Sequence, residues 1–326
     1  LHLSIRRQRQ MCIRDRINFI TDDEYLQHDT GPSHPENIER YKVVKSLLDN
    51  SYSNHNFIKP RVATIEELSL VHDKEYINHI LNSIPQDGYF HFDPDTICSP
   101  KSLKSYLYAV GGSLLAFEDI LNNNYLKKNC SYFCAHRPPG HHAEISKSMG
   151  FGVFNNVAIS AVNALNHPQV NKILIVDFDV HHGNGTQHFF ENNPDVIYAS
   201  SHQFPFYPGS GDLNETGCGN IFNCPLDANT SSKDFRLMFE KHIISKINDN
   251  FDLIYFSAGF DAHHKDPLAS INLIDEDFYW VTDIVLNKFG GQVPVISVLE
   301  GGYDMEGLKN GLNNHLMSLS EYIKNE

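Results

Sequence analysis

The 326-residue chain has no C-x-x-C pair, no surplus of basic residues and no apolar run approaching a bilayer's width. Each absence excludes a class. Its six cysteines (Cys12, Cys98, Cys130, Cys134, Cys218, Cys224) are scattered, and a chain this long needs no disulfide staples, so a reduced, cytoplasmic protein is expected. Lys and Arg total 26 against 40 Asp and Glu, a formal charge of −14. That balance argues against binding a nucleic-acid backbone and suits cationic substrates, although a solvated acidic surface is its commoner cause. Without roughly 18 consecutive apolar residues no membrane span is expected. Residues 1–16 are arginine-rich but have no apolar h-region, so they are not a secretory signal. The block RQRQMCIRDR within them reads as translated flanking sequence, leaving 17–326 as a single folded unit. No linker or internal repeat interrupts that unit.

What is present is an alternation of strand and helix patterns. Apolar runs predict strands at Ile17–Ile20, Tyr132–Ala135, Lys172–Val180, Val196–Ser200, Leu253–Ala258 and Val293–Val298. Helical spacing predicts Arg40–Leu48, Ile65–Leu70, Lys74–Ile84 behind an Asp73 cap, Ser102–Asn122, Asn155–Leu165, Gly185–Asn192, Lys233–Asn248 and Asp275–Phe289. Gly111-Gly112-Ser113 marks close packing within the longest of these. The alternation calls for an α/β fold, a mostly parallel sheet covered on both faces, with ligands beyond the carboxyl ends of its strands. Four polar clusters fall at those ends: Arg137–His142, Asp177–Asn184, Gly259–His264 and Glu300–Tyr303. They should converge on one rim.

The most informative cluster is Asp177-Phe178-Asp179-Val180-His181-His182-Gly183-Asn184. In a strand, residues two apart share a face, so Asp177, Asp179 and His181 should point together. Two carboxylates and an imidazole at a buried strand end need a cation or hydrogen bonds to offset their desolvation. Asp261, after the Leu253 strand, can supply another carboxylate; alone it would be read as a turn cap. Asp179, His181 and Asp261 around one ion with an open position form a catalytic zinc arrangement, since structural sites close all four positions. Such an ion acidifies water and polarises a carbonyl, as hydrolysis of an unactivated amide requires. His141 and His142 on a Pro-Gly loop can then divide the acid–base work, one a neutral base and the other charged, with Asp177 and Asn184 as their partners. Tyr303, on a Gly-Gly turn, can donate to the developing oxyanion.

R-P-P-G-H-H-A at 137–143, G-F-G-V-F-N-N at 150–156, D-F-D-V-H-H-G-N-G-T-Q at 177–187, S-A-G-F-D-A-H at 257–263 and L-E-G-G-Y at 299–303 occur in order. Together they make the chain similar to the zinc-dependent histone deacetylases, a family that includes acetylpolyamine amidohydrolases. The resemblance spans about residues 17–326. It implies a three-layer, arginase-like α/β/α fold and hydrolysis of an N-acetyl amide on a lysine or a small amine. By it, Asp179, His181 and Asp261 would hold zinc, His142 would be the general base, His141 its electrostatic partner, and Tyr303 would polarise the carbonyl. Gly150, Phe151, Tyr207 and Gly301 would shape the substrate channel, and Asp93 or Asp95 would anchor a substrate backbone or ammonium. A potassium site would draw on Asp177, Asp179, the His181 carbonyl and Ser200. Asn184, where many relatives have Asp, leans toward the class II and bacterial branches. The arginase relatives bind two manganese ions, but this rim offers ligands for one. Acetyl-lysine in a protein is the first substrate expected, an acetylpolyamine the second, and a non-catalytic acyl-amine binding module a distant third. Self-association of the chain is compatible with each.

Overall fold

The computed structural model describes residues 16–324, so the expectation for the N-terminal block falls, Arg16 apart, outside the described residues. Ten strands are present among them: β1 Asn18–Ile20, β2 Asn56–Ile58, β3 Phe90–His91, β4 Ile97–Cys98, β5 Ser131–Cys134, β6 Ile173–Asp177, β7 Val196–Gln203, β8 Ile221–Leu226, β9 Leu253–Ala258 and β10 Val295–Leu299. Eight form one sheet in the order β2-β1-β5-β10-β9-β6-β7-β8. Every pairing in it is parallel. Strands β3 and β4 form a separate antiparallel hairpin.

The strands are apolar on both sides, and their alternate residues feed two cores. Leu174, Val176, Ile254, Phe256, Val295 and Leu299 enter one core, packed with residues from helices Ile38–Ser51, Ser232–Phe239, Asp275–Val285 and Met305–Tyr322. Ile173, Ile175, Leu253, Tyr255, Ile296 and Val298 enter the other, packed with helices Lys74–Asn82, Ser102–Asn122 and Asn156–Leu165. Helix, sheet and helix are thus stacked as three layers, the expected architecture.

The chain reverses its direction across the sheet around β6, which pairs β7 on one side and β9 on the other. This is the topological switch point at which open parallel sheets bind ligands. The loops after β5, β6, β9 and β10, all four central strands, carry the four polar clusters.

Several boundaries differ from expectation. The strand expected through Val180 stops at Asp177, because side chains take over the bonding there. Asp177 Oδ1 accepts from the Asp179 N–H at 3.2 Å and Asp179 Oδ1 from the His181 N–H at 2.9 Å, local bonds that compete with a sheet ladder. The helices expected to run to Asn248 and Phe289 loosen into wider π turns at Glu240–Ile244 and Leu286–Gly290. Strands β2 and β8, the hairpin around Asp93–Thr96 and the helix Met305–Tyr322 go beyond the sequence reading.

Candidate active site

Asp179 and His181 follow β6 and Asp261 follows β9, adjacent central strands, so three buried ligands meet without either segment bending far. Their donor atoms all lie within 4.8 Å of one another. His181 Nδ1 faces Asp179 Oδ1 at 3.2 Å and Asp261 Oδ2 at 3.0 Å. Ligands of a tetrahedral ion with bonds of roughly 2.0–2.2 Å stand about 3.3–3.6 Å apart, close to both of these separations. The carboxylates' other bonds fix their aim: the Val180 N–H donates to Asp261 Oδ1 at 2.8 Å and the Gly301 N–H to Asp179 Oδ2 at 2.7 Å. Burial opposes a charge on His181, but the two carboxylates overcome it and raise its pKa to about 10. A proton at Nδ1 thus sits where a cation would satisfy the same three groups, and the residues fit a divalent ion with two oxygen ligands and one nitrogen ligand.

His141 and His142 lie side by side, ring centroids 4.1 Å apart. His141 Nδ1 meets Asp177 Oδ2 at 2.9 Å, and Tyr198 Oη donates to the same oxygen at 2.9 Å. His142 Nδ1 meets Asn184 Oδ1 at 2.8 Å. The environments split the pair. Burial opposes a charge on His141, yet Asp177 and Asp179 raise its pKa well above the usual histidine range. Burial and then the charge on His141 push His142 well below it. At neutral pH one ring is therefore cationic and its neighbour neutral, the division expected from a carboxylate on one and an amide on the other.

Tyr303 completes the site from the loop after β10. Burial raises its phenol well above the ordinary range, with the Arg40 guanidinium opposing and the site carboxylates adding to the rise, so the hydroxyl remains a donor. Arg40 stands 4.9 Å from the centre of its ring. Asp266 Oδ2 accepts the Tyr303 and Asp304 N–H groups at 2.6 and 3.1 Å and so pins the turn.

Residues 34–319 match the family model described as the histone deacetylase domain. The chain belongs to the histone deacetylase family. It is 36% identical over 283 residues to a protein of Methanothermobacter thermautotrophicus named "Probable deacetylase", covering 84% of this chain and 82% of that one. It is 32% identical over 321 residues to the chloroplastic histone deacetylase 10 of Oryza sativa subsp. japonica, covering 89% and 72%. The crystal structure of the HDA15 HD domain superposes with a TM-score of 0.83 at 30% identity, over 93% of this chain and 90% of that one.

In this histone deacetylase family member, His142, His181 and Tyr303 line one cavity of about 190 Å³ together with Gly150, Phe151, Phe206, Tyr207, Leu268 and Asp95. Gly150 and Phe151 both have positive φ, +57° and +70°. At Gly150 a β-carbon would stand 2.1 Å from the His142 ring, so a glycine is needed for that ring to fit. Phe151 meets Tyr303 edge to face at 5.6 Å, and Tyr207 meets His142 in the same way at 5.2 Å.

Two channel expectations need adjusting. Asp95 lines the cavity, whereas Asp93 holds the hairpin turn by accepting the Asp95 and Thr96 N–H groups. Gly301 is not among the residues lining the cavity: it backs the two carboxylates, where a β-carbon would lie 2.3 Å from Asp261 Oδ2 and 2.5 Å from Asp179 Oδ2. Ser200 is fully buried beside Asp177 in the β6–β7 register, its hydroxyl bonded to His202 Nδ1 at 2.8 Å.

Other contributors escaped the sequence reading. Phe206 stacks on His181 at 5.6 Å, and Leu268 adds an apolar wall held through its N–H by Asp266 Oδ1 at 3.0 Å. Buried Glu300 accepts the Gly140 and His141 N–H groups at 2.7 and 3.3 Å and so anchors the histidine loop. Arg40 donates to the Gly302 carbonyl at 2.6 Å and to the Glu300 carbonyl. The tripeptide Asp266-Pro267-Leu268, five residues beyond Asp261, was a visible turn signal. Nothing in the local sequence marks Arg40 as buried.

Proposed function

We propose that this chain is a zinc-dependent amidohydrolase that removes acetyl groups from lysine side chains of proteins. The observation that carries the reading is the meeting, in one narrow cavity, of His142, held neutral by burial, His181, which faces two buried carboxylates, and the phenol of Tyr303. Asp179, His181 and Asp261 would hold the ion, with one position left for reactants, and two oxygens plus one imidazole suit zinc. When bound there, the ion supplies Lewis acidity toward a water molecule and the amide carbonyl.

The chain's own groups supply the rest. His142 carries its ring proton on Nδ1, toward Asn184, leaving Nε2 to accept a proton from the attacking water. His141, cationic against Asp177, keeps positive charge beside the developing oxyanion. Tyr303 donates its hydroxyl proton in a hydrogen bond to the same oxygen. His142 then returns the proton it took to the amide nitrogen as the C–N bond breaks, so acetic acid and the free amine leave and the dyad is restored; the acid gives up its proton in solution. Asp177, Asp179, the His181 carbonyl and Ser200 would hold a potassium ion behind the catalytic groups.

The cavity is smaller than the ~300–1,000 Å³ typical of drug-sized sites, and its walls are Phe151, Phe206, Tyr207 and Leu268. That suits a thin aliphatic chain ending in a small acyl group. Asp95 is the one carboxylate among its lining residues, enough to accept a peptide N–H at the entrance. A polyamine brings further ammonium groups, and the net charge of −14 favours it in a general way. Purified protein given acetyl-lysine peptides, acetylputrescine, acetylspermidine and longer acyl-lysines decides between the two: the account expects the highest kcat/KM on acetyl-lysine peptides. A higher value on acetylpolyamines would move the assignment to the second class, and no turnover of any amide by metal-loaded protein would leave a binding module.

A further inference from the structure

The orientation of His142 depends on Asn184, and an amide can face its partner in two ways. With Oδ1 toward His142, the imidazole keeps its proton on Nδ1 and offers Nε2 as an acceptor. With Nδ2 toward it, the tautomer reverses and Nε2 carries the proton, which disables the base. Something must select the first orientation.

The surroundings of Asn184 Nδ2 do so. It donates to the Glu144 carboxylate, while the His142 carbonyl at 3.3 Å and Met149 Sδ at 3.4 Å are further acceptors around it. Glu144 is itself anchored. His188 Nδ1 stands 2.8 Å from the carboxylate, the Glu144 N–H donates to the Lys147 carbonyl at 2.9 Å, and its carbonyl meets His72 Nδ1 at 3.0 Å. Its side chain is 22% exposed. An ionised carboxylate only accepts, so it excludes the flipped amide, and its charge polarises the amide toward a more negative Oδ1.

We infer that Glu144 is a positioning residue for the amide hydrolysis, locking Asn184 in the one orientation that leaves His142 Nε2 free to take a proton. Through the neutral amide it delivers part of the charge that an aspartate at position 184 would place directly against the ring. The inference rests on the proposed role of His142 as base.

The test is a reciprocal exchange, with kcat, KM and bound metal measured for each protein. Glu144→Gln should lower kcat roughly 10- to 100-fold, the usual loss for a partner one step removed from the reacting groups, with KM and metal content unchanged. Asn184→Asp alone sets two carboxylates against each other and should be at least as impaired. The double variant Glu144→Gln with Asn184→Asp restores one donor and one acceptor in reversed order, with the carboxylate now on His142, and should recover kcat to within about threefold of the original. A merely structural Glu144 predicts no such recovery. Undiminished kcat in Glu144→Gln, or a double variant no better than the worse single one, overturns the inference. His142→Ala serves as the separate control: turnover surviving that change would defeat the reading of the base itself.

Discussion

At the scale of single residues, the site works by giving similar groups unlike surroundings. His141 and His142 are chain neighbours, yet Asp177 holds one as a cation while burial and that cation keep the other neutral. This division was legible in the sequence because it depends on residue type, carboxylate against amide. The place of Tyr303 on the cavity wall was legible from its Gly-Gly turn. Tyr303→Phe is expected to lower kcat by roughly two to three orders of magnitude with metal content unchanged, the scale for losing one oxyanion donor; steady-state kinetics with metal analysis check it. Gly301 was less legible. Its expected place was the channel, but its lack of a side chain makes room for Asp179 and Asp261, and the motif alone does not show which neighbour comes close. Gly301→Ala is expected to strip the protein of metal, since the new methyl would overlap Asp179 and Asp261, while far-UV circular dichroism stays unchanged.

At the scale of elements, the central strands and most helices were readable, while the edge strands and a helix diluted by glycine and asparagine were not. Helix Ser102–Asn122 and strand β9 fall where periodicity and apolar runs put them. Strand β8 contains Asn223 and Pro225, residues that argue against a sheet interior, and it lies at the sheet's edge, where a proline is tolerated. Helix Met305–Tyr322 has Leu308, Leu312, Leu316 and Leu319 on one buried face, but Gly307, Gly311 and three asparagines dilute its helical propensity. The D-x-D-x-H segment gathers Asp179 and His181 without continuing as a strand, because side-chain bonds to backbone impose their own two-residue step. Close packing at Gly111 was anticipated from its neighbours, and its magnitude can be tested. Replacing a helix-interior glycine by alanine usually stabilises by about 0.5–1 kcal/mol. Here the methyl would stand 1.9 Å from the Arg61 carbonyl, so Gly111→Ala is expected to lower the melting temperature. A raised melting temperature would show that the Arg61 segment yields.

At the scale of the whole molecule, the fold stores many neutral histidines. Burial depresses His28, His136 and His315 to about 3 and His72 and His202 to about 4. In the unfolded chain each titrates near 6.5. Between pH 6.5 and about 4 the unfolded state therefore binds protons that the native state does not, and stability falls as pH falls. His141, held above the usual histidine range by Asp177 and Asp179, opposes this slope only near pH 7, where the unfolded imidazole is still partly neutral. Denaturant unfolding at pH 7, 6 and 5 is expected to show a midpoint dropping steeply, before the surface carboxylates titrate; a flat midpoint would mean those histidines are solvated. The sequence showed 19 histidines but not which were enclosed, since burial is a property of the assembled layers. If Asp179, His181 and Asp261, on loops after adjacent strands, hold the one divalent ion on which amide hydrolysis depends, metal content and turnover must rise and fall together. Metal analysis and acetyl-lysine peptide turnover on the same sample, before chelation, after it and after zinc is returned, test that most directly. One equivalent of metal per chain, with activity lost and regained in step, is the predicted result; undiminished turnover by verified metal-free protein would contradict it.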